Sequence, residues 1–396
     1  MAFHILVLDA HQRSALAVTR ALGSLPDVTV TTADSAVDTL AGSSRFSSGN
    51  LLSPSSELEP GKYLDWLAQY LEVQRVDLVV PVTEITSQLL LMNQHRFAHL
   101  PLPFADYLTV MSLADKGKLV ALAEQNNVPC PASQWFASSA ELDVDMQSFP
   151  IVLKPCLSKI YTGTAWVATR VRVLYSKEEL MEELQQSQYL HKTPFMLQEF
   201  IPGHGAGIFC LYDHGKPHVF FAHRRLREKP PQGGVSVLSE SVMVDPVLRD
   251  YADRLLSAVQ WHGVAMVEFR INPESGLAYL MEVNTRFWGS LQLAIDAGVN
   301  FPRLLWLAEL ARNGQGEPAL PIDSYRIGQR LRWLLGDLDS LYLYLKGSYS
   351  WAQKLQRICQ FLTPSLGYTR HEINRWGDLG PARHELSLYI KHLTRR

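Results

Sequence analysis

A chain of 396 residues exceeds a single ordinary hydrophobic core and implies two or three domains. With 47% hydrophobic and 19% charged residues the balance is globular rather than disordered, and 37 Lys plus Arg against 39 Asp plus Glu leave a net charge of −2, which argues against any general attraction to nucleic acid. Cys130, Cys156, Cys210 and Cys359 lie far apart without a CxxC pair, so neither a disulfide framework nor a zinc knuckle is expected.

Near the start, Asp9 and Arg13 interrupt the apolar run, so it does not read as a secretory leader. No apolar stretch approaches the roughly 20 residues that span a bilayer. A cytoplasmic protein without an integral membrane segment is the expectation.

Residues 3–9 read as a buried parallel strand, followed by a helical stripe from Ala15 to Leu25 that closes near Gly23. Residues 28–34 and 77–83 read as further strands, and the alternation predicts a doubly wound α/β domain over 1–108. The Ser- and Gly-rich segment 43–56 reads as an irregular surface connection without a mechanism of its own. No G-x-G-x-x-G follows the first strand, which weighs against a nicotinamide or flavin enzyme.

From residue 109 the texture changes. One helix closed by a turn is expected over 109–125. A series of strands follows, with Asp213-His214-Gly215 and Pro273-Glu274-Ser275-Gly276 as hairpin turns. This predicts an α+β catalytic domain over 109–320, its last helix beginning near Ser290. Residues 321–396 are amphipathic and mainly helical, and read as a helical C-terminal extension that either packs on the catalytic domain, narrows the acceptor pocket or joins two copies into a homodimer. No internal repeat is visible.

The strongest local signal lies in two hairpin strands, V-E-F-R at 267–270 and M-E-V-N at 281–284. Strand alternation puts Glu282 and Asn284 on one face, and Glu268 on the partner strand can face the same way. Two carboxylates and an amide oxygen make a hard, all-oxygen set suited to magnesium. The bland alternative is a pair of solvent-facing strand glutamates.

The segment EVNTRFWGS, which begins at Glu282, resembles the E-x-N-x-R signature of ATP-grasp enzymes, a group that includes biotin carboxylase, carbamoyl phosphate synthetase and D-alanine–D-alanine ligase. Several motifs occur in the expected order over residues 3–310. The resemblance implies an N-terminal α/β domain, a catalytic domain of two α+β lobes closing on ATP, and two magnesium ions (or manganese) held by Glu268, Glu282 and Asn284. It assigns Arg286 to charge neutralisation at the transferring phosphoryl group. Lys116 in the ADK segment and Lys154 in VLKP match the phosphate-binding lysines, with Lys118 the neighbour most easily confused with Lys116. Residues 158–165 occupy the place of the glycine-rich phosphate loop, but only Gly163 is a glycine there; Ser158, Thr162 and Thr164 still offer hydroxyls, and Thr164 or Lys159 is a candidate ATP contact. LQEFIPG at 197–203 resembles the adenine hinge, with Glu199, Phe200 and Ile201 along the purine edge. The G-x-G-x-G at 203–207 runs into a strand and is not a dinucleotide loop.

The stretch 223–241 looks like that of the carbamoyl-phosphate-synthetase-like carboxylate–amine ligase branch. Arg225, favoured over Arg224 and Arg227, would clamp a carboxylate or phosphate, and Gly233 and Gly234 would let backbone approach the acyl group. The expected reaction activates a carboxylate as an acyl phosphate, which an amine then attacks, releasing ADP and phosphate. Asp9, Thr83 and Glu84 at strand ends are candidate substrate contacts. The alternatives are an ATP-binding scaffold without turnover and a carboxylase-type subunit whose biotin carrier is a separate chain.

Overall fold

A computed structural model describes residues 2–316, 322, 324–363 and 368–394. The expected boundary at 320–321 therefore lies outside the described residues.

The first sheet is parallel, in the order β3-β2-β1-β4, from β1 (Phe3–Val7), β2 (Val28–Asp34), β3 (Gly49–Leu52) and β4 (Leu78–Val80). Its alternation serves two cores rather than a wet and a dry face. Leu6, Leu8 and Val79 join one hydrophobic cluster, and Ile5, Val7, Val30 and Val80 join the other. Helices on both sides supply those cores, as a parallel sheet requires. The expectation for 43–56 is corrected: Gly49–Leu52 pairs with β2 as the edge strand. Its four residues, Gly-Asn-Leu-Leu, are too few to show a periodicity of their own, and the pairing with Thr31–Asp34 is a long-range one.

The second sheet is antiparallel, in the order β5-β10-β6-β9, with β5 (Ser133–Phe136), β6 (Ile151–Pro155), β9 (Arg172–Leu174) and β10 (Phe195–Glu199). Between β6 and β9 the chain makes a separate hairpin, β7 (Lys159–Tyr161) and β8 (Trp166–Ala168). Ahead of this sheet, one expected helix is in fact two, Tyr107–Ala114 and Lys116–Gln125. Asp115 divides them because its carboxylate caps the second, accepting from Gly117 N at 2.8 Å and Lys118 N at 3.3 Å.

The third sheet has seven strands, in the order β15-β14-β11-β12-β13-β16-β17. They are β11 (His204–Asp213), β12 (Lys216–Lys229), β13 (Val235–Val242), β14 (Gly263–Ile271), β15 (Ala278–Asn284), β16 (Arg330–Arg332) and β17 (Thr369–His371). Both hairpin turns fall where expected. The G-x-G-x-G segment enters β11, as expected, and the helix after Ser290 spans Leu291–Ala297. The C-terminal segment is mainly helical but adds β16 and β17 to the sheet. Three-residue strands are too short to show a period in sequence.

This segment also reaches back to the first sheet's flanking helix. Arg20, buried on Arg13–Gly23, donates from Nε to Asp378 at 2.8 Å and from Nη1 to the carbonyl of Glu372 at 2.7 Å. The third sheet enters the same two cores as the first, through Ile208, Tyr212 and Val267 on one side and Phe209, Phe221 and Met266 on the other. That shared packing fixes the cleft between the two sheets. All four cysteines are free thiols, and no helix among the described residues is long and apolar enough to cross a membrane.

Candidate functional site

Antiparallel pairing of β14 with β15 sets Glu268 directly opposite Glu282 and Met266 opposite Asn284. Residues opposite or two apart share a face, so the three oxygen-bearing side chains meet as the strand period requires. A bulge next to this pair, between Glu268 and Phe269, shifts the register and absorbs Met281. Asn284 Nδ2 donates to Glu282 Oε1 at 3.0 Å, and Arg286 Nη2 donates to Asn284 Oδ1 at 3.3 Å. Burial, reinforced by the charge of Glu282, pushes Glu268 above the usual carboxylate range, against the pull of Arg225 and Arg286. Two facing carboxylates under that strain, with an amide oxygen beside them, form a donor set that a hard divalent cation fits.

Two lysines face this cluster from the other side of the cleft. Lys154 comes from β6 and Lys116 from the first turn of its helix; they are 7% and 5% exposed, burial unusual for lysine without a functional or ionic partner. The Lys116 amide donates to the carbonyl of Cys156 at 2.9 Å, which ties that helix start to the end of β6. Its Nζ donates to Ser158 Oγ at 3.0 Å. Burial lowers Lys154 to about 8, with Glu282 opposing the shift and Lys116 adding to it. Lys118 is exposed on the far side of the turn.

Glu199 ends β10 and is exposed, Phe200 is half-buried and Ile201 is buried. Arg270 Nε donates to the Ile201 carbonyl at 2.6 Å, with its guanidinium 5.8 Å from the Phe200 ring centroid. Gly203 (φ +126°) is required just after, since a Cβ there would lie 1.9 Å from the Ile271 carbonyl oxygen.

The arginines of β12 diverge. Arg225 reaches Glu268 at 3.2 Å and Glu228 at 3.3 Å, on the acidic cluster's face. Arg224 pairs with Glu240, and Arg227 with the fully buried Asp337 at 2.9 Å, under the C-terminal helices. Thr164 stands on the exposed tip of the β7–β8 hairpin and does not line the cleft, whereas Ser158 and Lys159 at its base do.

The cleft itself is a cavity of about 460 Å³ at the carboxyl ends of the first sheet's strands. The strand order reverses between β1 and β4, and ligands of open α/β sheets bind at such switch points. Asp9 follows β1 with φ +57°. Its carboxylate accepts from Val82 N at 3.0 Å, Thr83 N at 2.9 Å and Thr86 Oγ1 at 2.6 Å, which pins the β4 turn. Burial raises its pKa despite those bonds. Asp9 is thus spent on structure, while Glu84 at the next helix start faces inward. Burial raises Glu84 as well, with Lys116 and Arg286 pulling it down.

Residue reasoning missed the rest of this wall. His11 Nδ1 lies 2.6 Å from Asp34 Oδ2 at the end of β2, a hydrogen bond that raises the imidazole pKa. Ser53 to Glu57 line the cavity, and the β7–β8 hairpin is fastened to them by Lys159 Nζ to Glu57 at 2.9 Å and Trp166 Nε1 to the Ser56 carbonyl at 3.2 Å. Asp34, as the last residue of a parallel strand, was the available signal.

A much smaller cavity lies between Lys116 and the Glu282–Arg286 segment. Glu84, Ser158 and Arg286 line both cavities, so the acidic cluster and the cleft are continuous.

Residues 191–329 match a family model described as "ATP-grasp in the biosynthetic pathway with Ter operon". No curated protein matches by sequence. Among solved structures, the L-amino acid ligase of Bacillus licheniformis aligns with a TM-score of 0.60 at 19% identity, covering 78% of this chain and 74% of that one. The N5-carboxyaminoimidazole synthetase of Staphylococcus aureus gives 0.60 at 12% identity over 83% of this chain and 82% of its own. Biotin carboxylase of Campylobacter jejuni, solved as a complex with β,γ-ATP, gives 0.63 at 14% identity over 83% and 74%. The chain shares its fold with these enzymes, and its residues 191–329 match the ATP-grasp family model.

Proposed function

We propose that this protein is a magnesium- and ATP-dependent ligase that activates a small-molecule carboxylate as an acyl phosphate and joins it to an amine. The observation that carries this reading is the sharing of Arg286, Glu84 and Ser158 between the cavity beside the acidic cluster and the large polar cleft. A phosphoryl donor on one side and a carboxylate acceptor on the other would meet at Arg286.

In this reading, Lys116 and Lys154 hold the polyphosphate, and Glu199, Phe200 and Ile201 border the adenine. Both lysines are buried beside carboxylates, so a polyanion relieves their desolvation. Glu268, Glu282 and Asn284 would hold magnesium, one or two ions, and bound metal would neutralise charge on the β- and γ-phosphates.

The carboxylate oxygen attacks the γ-phosphorus, the bond to the β-bridging oxygen breaks, and ADP departs. Arg286 screens the charge of the transferring group. The amine then attacks the acyl carbon, phosphate leaves, and the amine's proton passes to solvent or to a cleft base. Arg225, beside Glu268, would steady the acyl phosphate. Positioning and charge neutralisation do this work without a protein nucleophile. Such ATP-consuming chemistry belongs in the cytoplasm.

The exposed tip of the β7–β8 hairpin, with its lone Gly163, favours a second reading: an ATP-binding scaffold without turnover. ADP release over a panel of carboxylic acids and amino acids, each with an amine, separates the two. The ligase reading predicts magnesium-dependent ADP and phosphate release with a specific pair, lost in Glu282→Gln. AMP and pyrophosphate as products, or a wild-type rate in Glu282→Gln, would sink it.

A further inference from the structure

At the opposite end of β14 from Glu268, three ligating side chains converge. The β11–β12 hairpin turns through His214 (φ +45°) and Gly215 (φ +82°), a two-residue turn with both central residues left-handed. That conformation is uncommon for histidine and throws its ring over His262, the residue just before β14, with ring centroids 4.5 Å apart. Asp213 Oδ1 lies 2.7 Å from His214 Nδ1 and 3.1 Å from His262 Nδ1. One ligand atom from each of the three falls within 4.8 Å of the other two.

The cluster is held rigidly. Gly215 N donates to the Trp261 carbonyl at 2.8 Å, and Ser257 Oγ donates to the Gly215 carbonyl at 3.0 Å, so the turn is docked onto the segment that carries His262. His262 is 2% exposed, and its Nε2 lies 2.8 Å from Oε1 of Glu309, which is 3% exposed. Arg312 Nη2 donates to the other oxygen of Glu309 at 2.6 Å and helps orient that carboxylate.

The same Asp213 oxygen is thus approached by a ring nitrogen from each histidine, so one carboxylate oxygen and two imidazole nitrogens converge on one point. A buried carboxylate behind a ligating histidine is also the usual outer partner of a metal-bound imidazole, fixing its tautomer.

We infer that Asp213, His214 and His262 form a transition-metal site, with Glu309 as the outer partner of His262. Two imidazole nitrogens and one carboxylate oxygen, with a solvent-facing side at His214, suit zinc or a neighbouring divalent ion of the cobalt and nickel type rather than magnesium. An ion there would clamp the β11–β12 hairpin and β14 to the helix Phe301–Arg312, at a distance from the acidic cluster. The site is independent of the ligase reading.

The test is equilibrium dialysis of the full chain, stripped by chelator, against zinc in the presence of excess magnesium, with metal counted by elemental analysis. One zinc per chain is expected. His214→Asn, which keeps the left-handed turn accessible, should weaken zinc binding at least about tenfold, and Glu309→Gln by about tenfold. His99→Asn, an exposed histidine elsewhere, should leave it unchanged. Because the Glu309 variant could fail to fold, His214→Asn decides: its turn is exposed, and circular dichroism checks its fold. Zinc binding equal in wild type and His214→Asn, or no zinc bound by wild type, would overturn the site and leave Asp213, His214 and His262 as a hydrogen-bonded cluster only.

Discussion

The two ends of the cleft are built differently. At one end, the side chains are held in strand ladders: Glu268 on β14 between two neighbours, Glu282 and Asn284 on the edge strand β15 paired to it, and Lys154 on β6 opposite Met196 of β10, while Lys116 is tied to β6 through its own amide. At the other, His11, Asp34, Ser53 to Glu57 and Glu84 come from the ends of four parallel strands and the turns after them. The ladder-borne end suits chemistry that tolerates little displacement, since a misplacement of about 1 Å can cost roughly a hundredfold in rate. The turn-borne end can vary without disturbing a ladder, which is where selectivity for an acceptor is best placed.

If this division holds, substitutions at the two ends should separate by readout. The largest effect is expected from Glu282→Gln, which removes a charged oxygen from the donor set. Magnesium-dependent turnover should fall by at least about a hundredfold, while thermal unfolding changes little. Next comes Lys154→Met, which should weaken nucleotide binding by roughly tenfold or more through loss of a charge-assisted contact. Lys154 also gives a pH signature. Its free-protein pKa is about 8, and a polyanion favours the charged form. Nucleotide binding therefore takes up a proton above that value, and the wild-type Kd should rise with pH from about 8, by up to about tenfold per unit. Calorimetry at two pH values should find this slope absent in Lys154→Met.

At the turn-borne end, Asp9→Ala leaves the amides of Val82 and Thr83 without their acceptor and should lower unfolding free energy by about 1–3 kcal/mol. Nucleotide affinity should be nearly unchanged once the protein is folded. The smallest effect belongs to His11→Ala. Asp34 raises the His11 pKa, so the pair contributes stability that is full below the ordinary imidazole value and is lost as pH rises through the raised one. Thermal melts should therefore separate wild type from His11→Ala at about pH 6, below the ordinary imidazole value, and converge as pH rises past the raised one. A variant of the turn-borne end that abolished nucleotide binding would break the comparison.

The same division governs how much could be read from the sequence. That Glu282 and Asn284 share a strand face was legible because a strand's two-residue period is a local property, and the strand position of Lys154 because an apolar triplet precedes it. Lys116 was separable from Lys118 through the capping aspartate Asp115, although the second helix it starts was not anticipated. The pairing of Gly49–Leu52 with β2 and of Thr369–His371 with β16 depends on partners far along the chain, and no local pattern announces it. The cleft wall was missed for a related reason. Its residues are adjacent only because four strand ends lie side by side, so His11, Asp34 and Ser53 share no motif. Of this wall only Asp9, Thr83 and Glu84, at the ends of β1 and β4, were candidates from the sequence.

The central claim is that the Glu268, Glu282 and Asn284 cluster holds the metal through which nucleotide is bound. It is tested most directly by titrating a non-hydrolysable ATP analogue into wild type and Glu282→Gln, each with and without magnesium. The account predicts that magnesium tightens binding to wild type and that this gain disappears in Glu282→Gln, with metal-free affinity preserved. An equal magnesium gain in both proteins would contradict it.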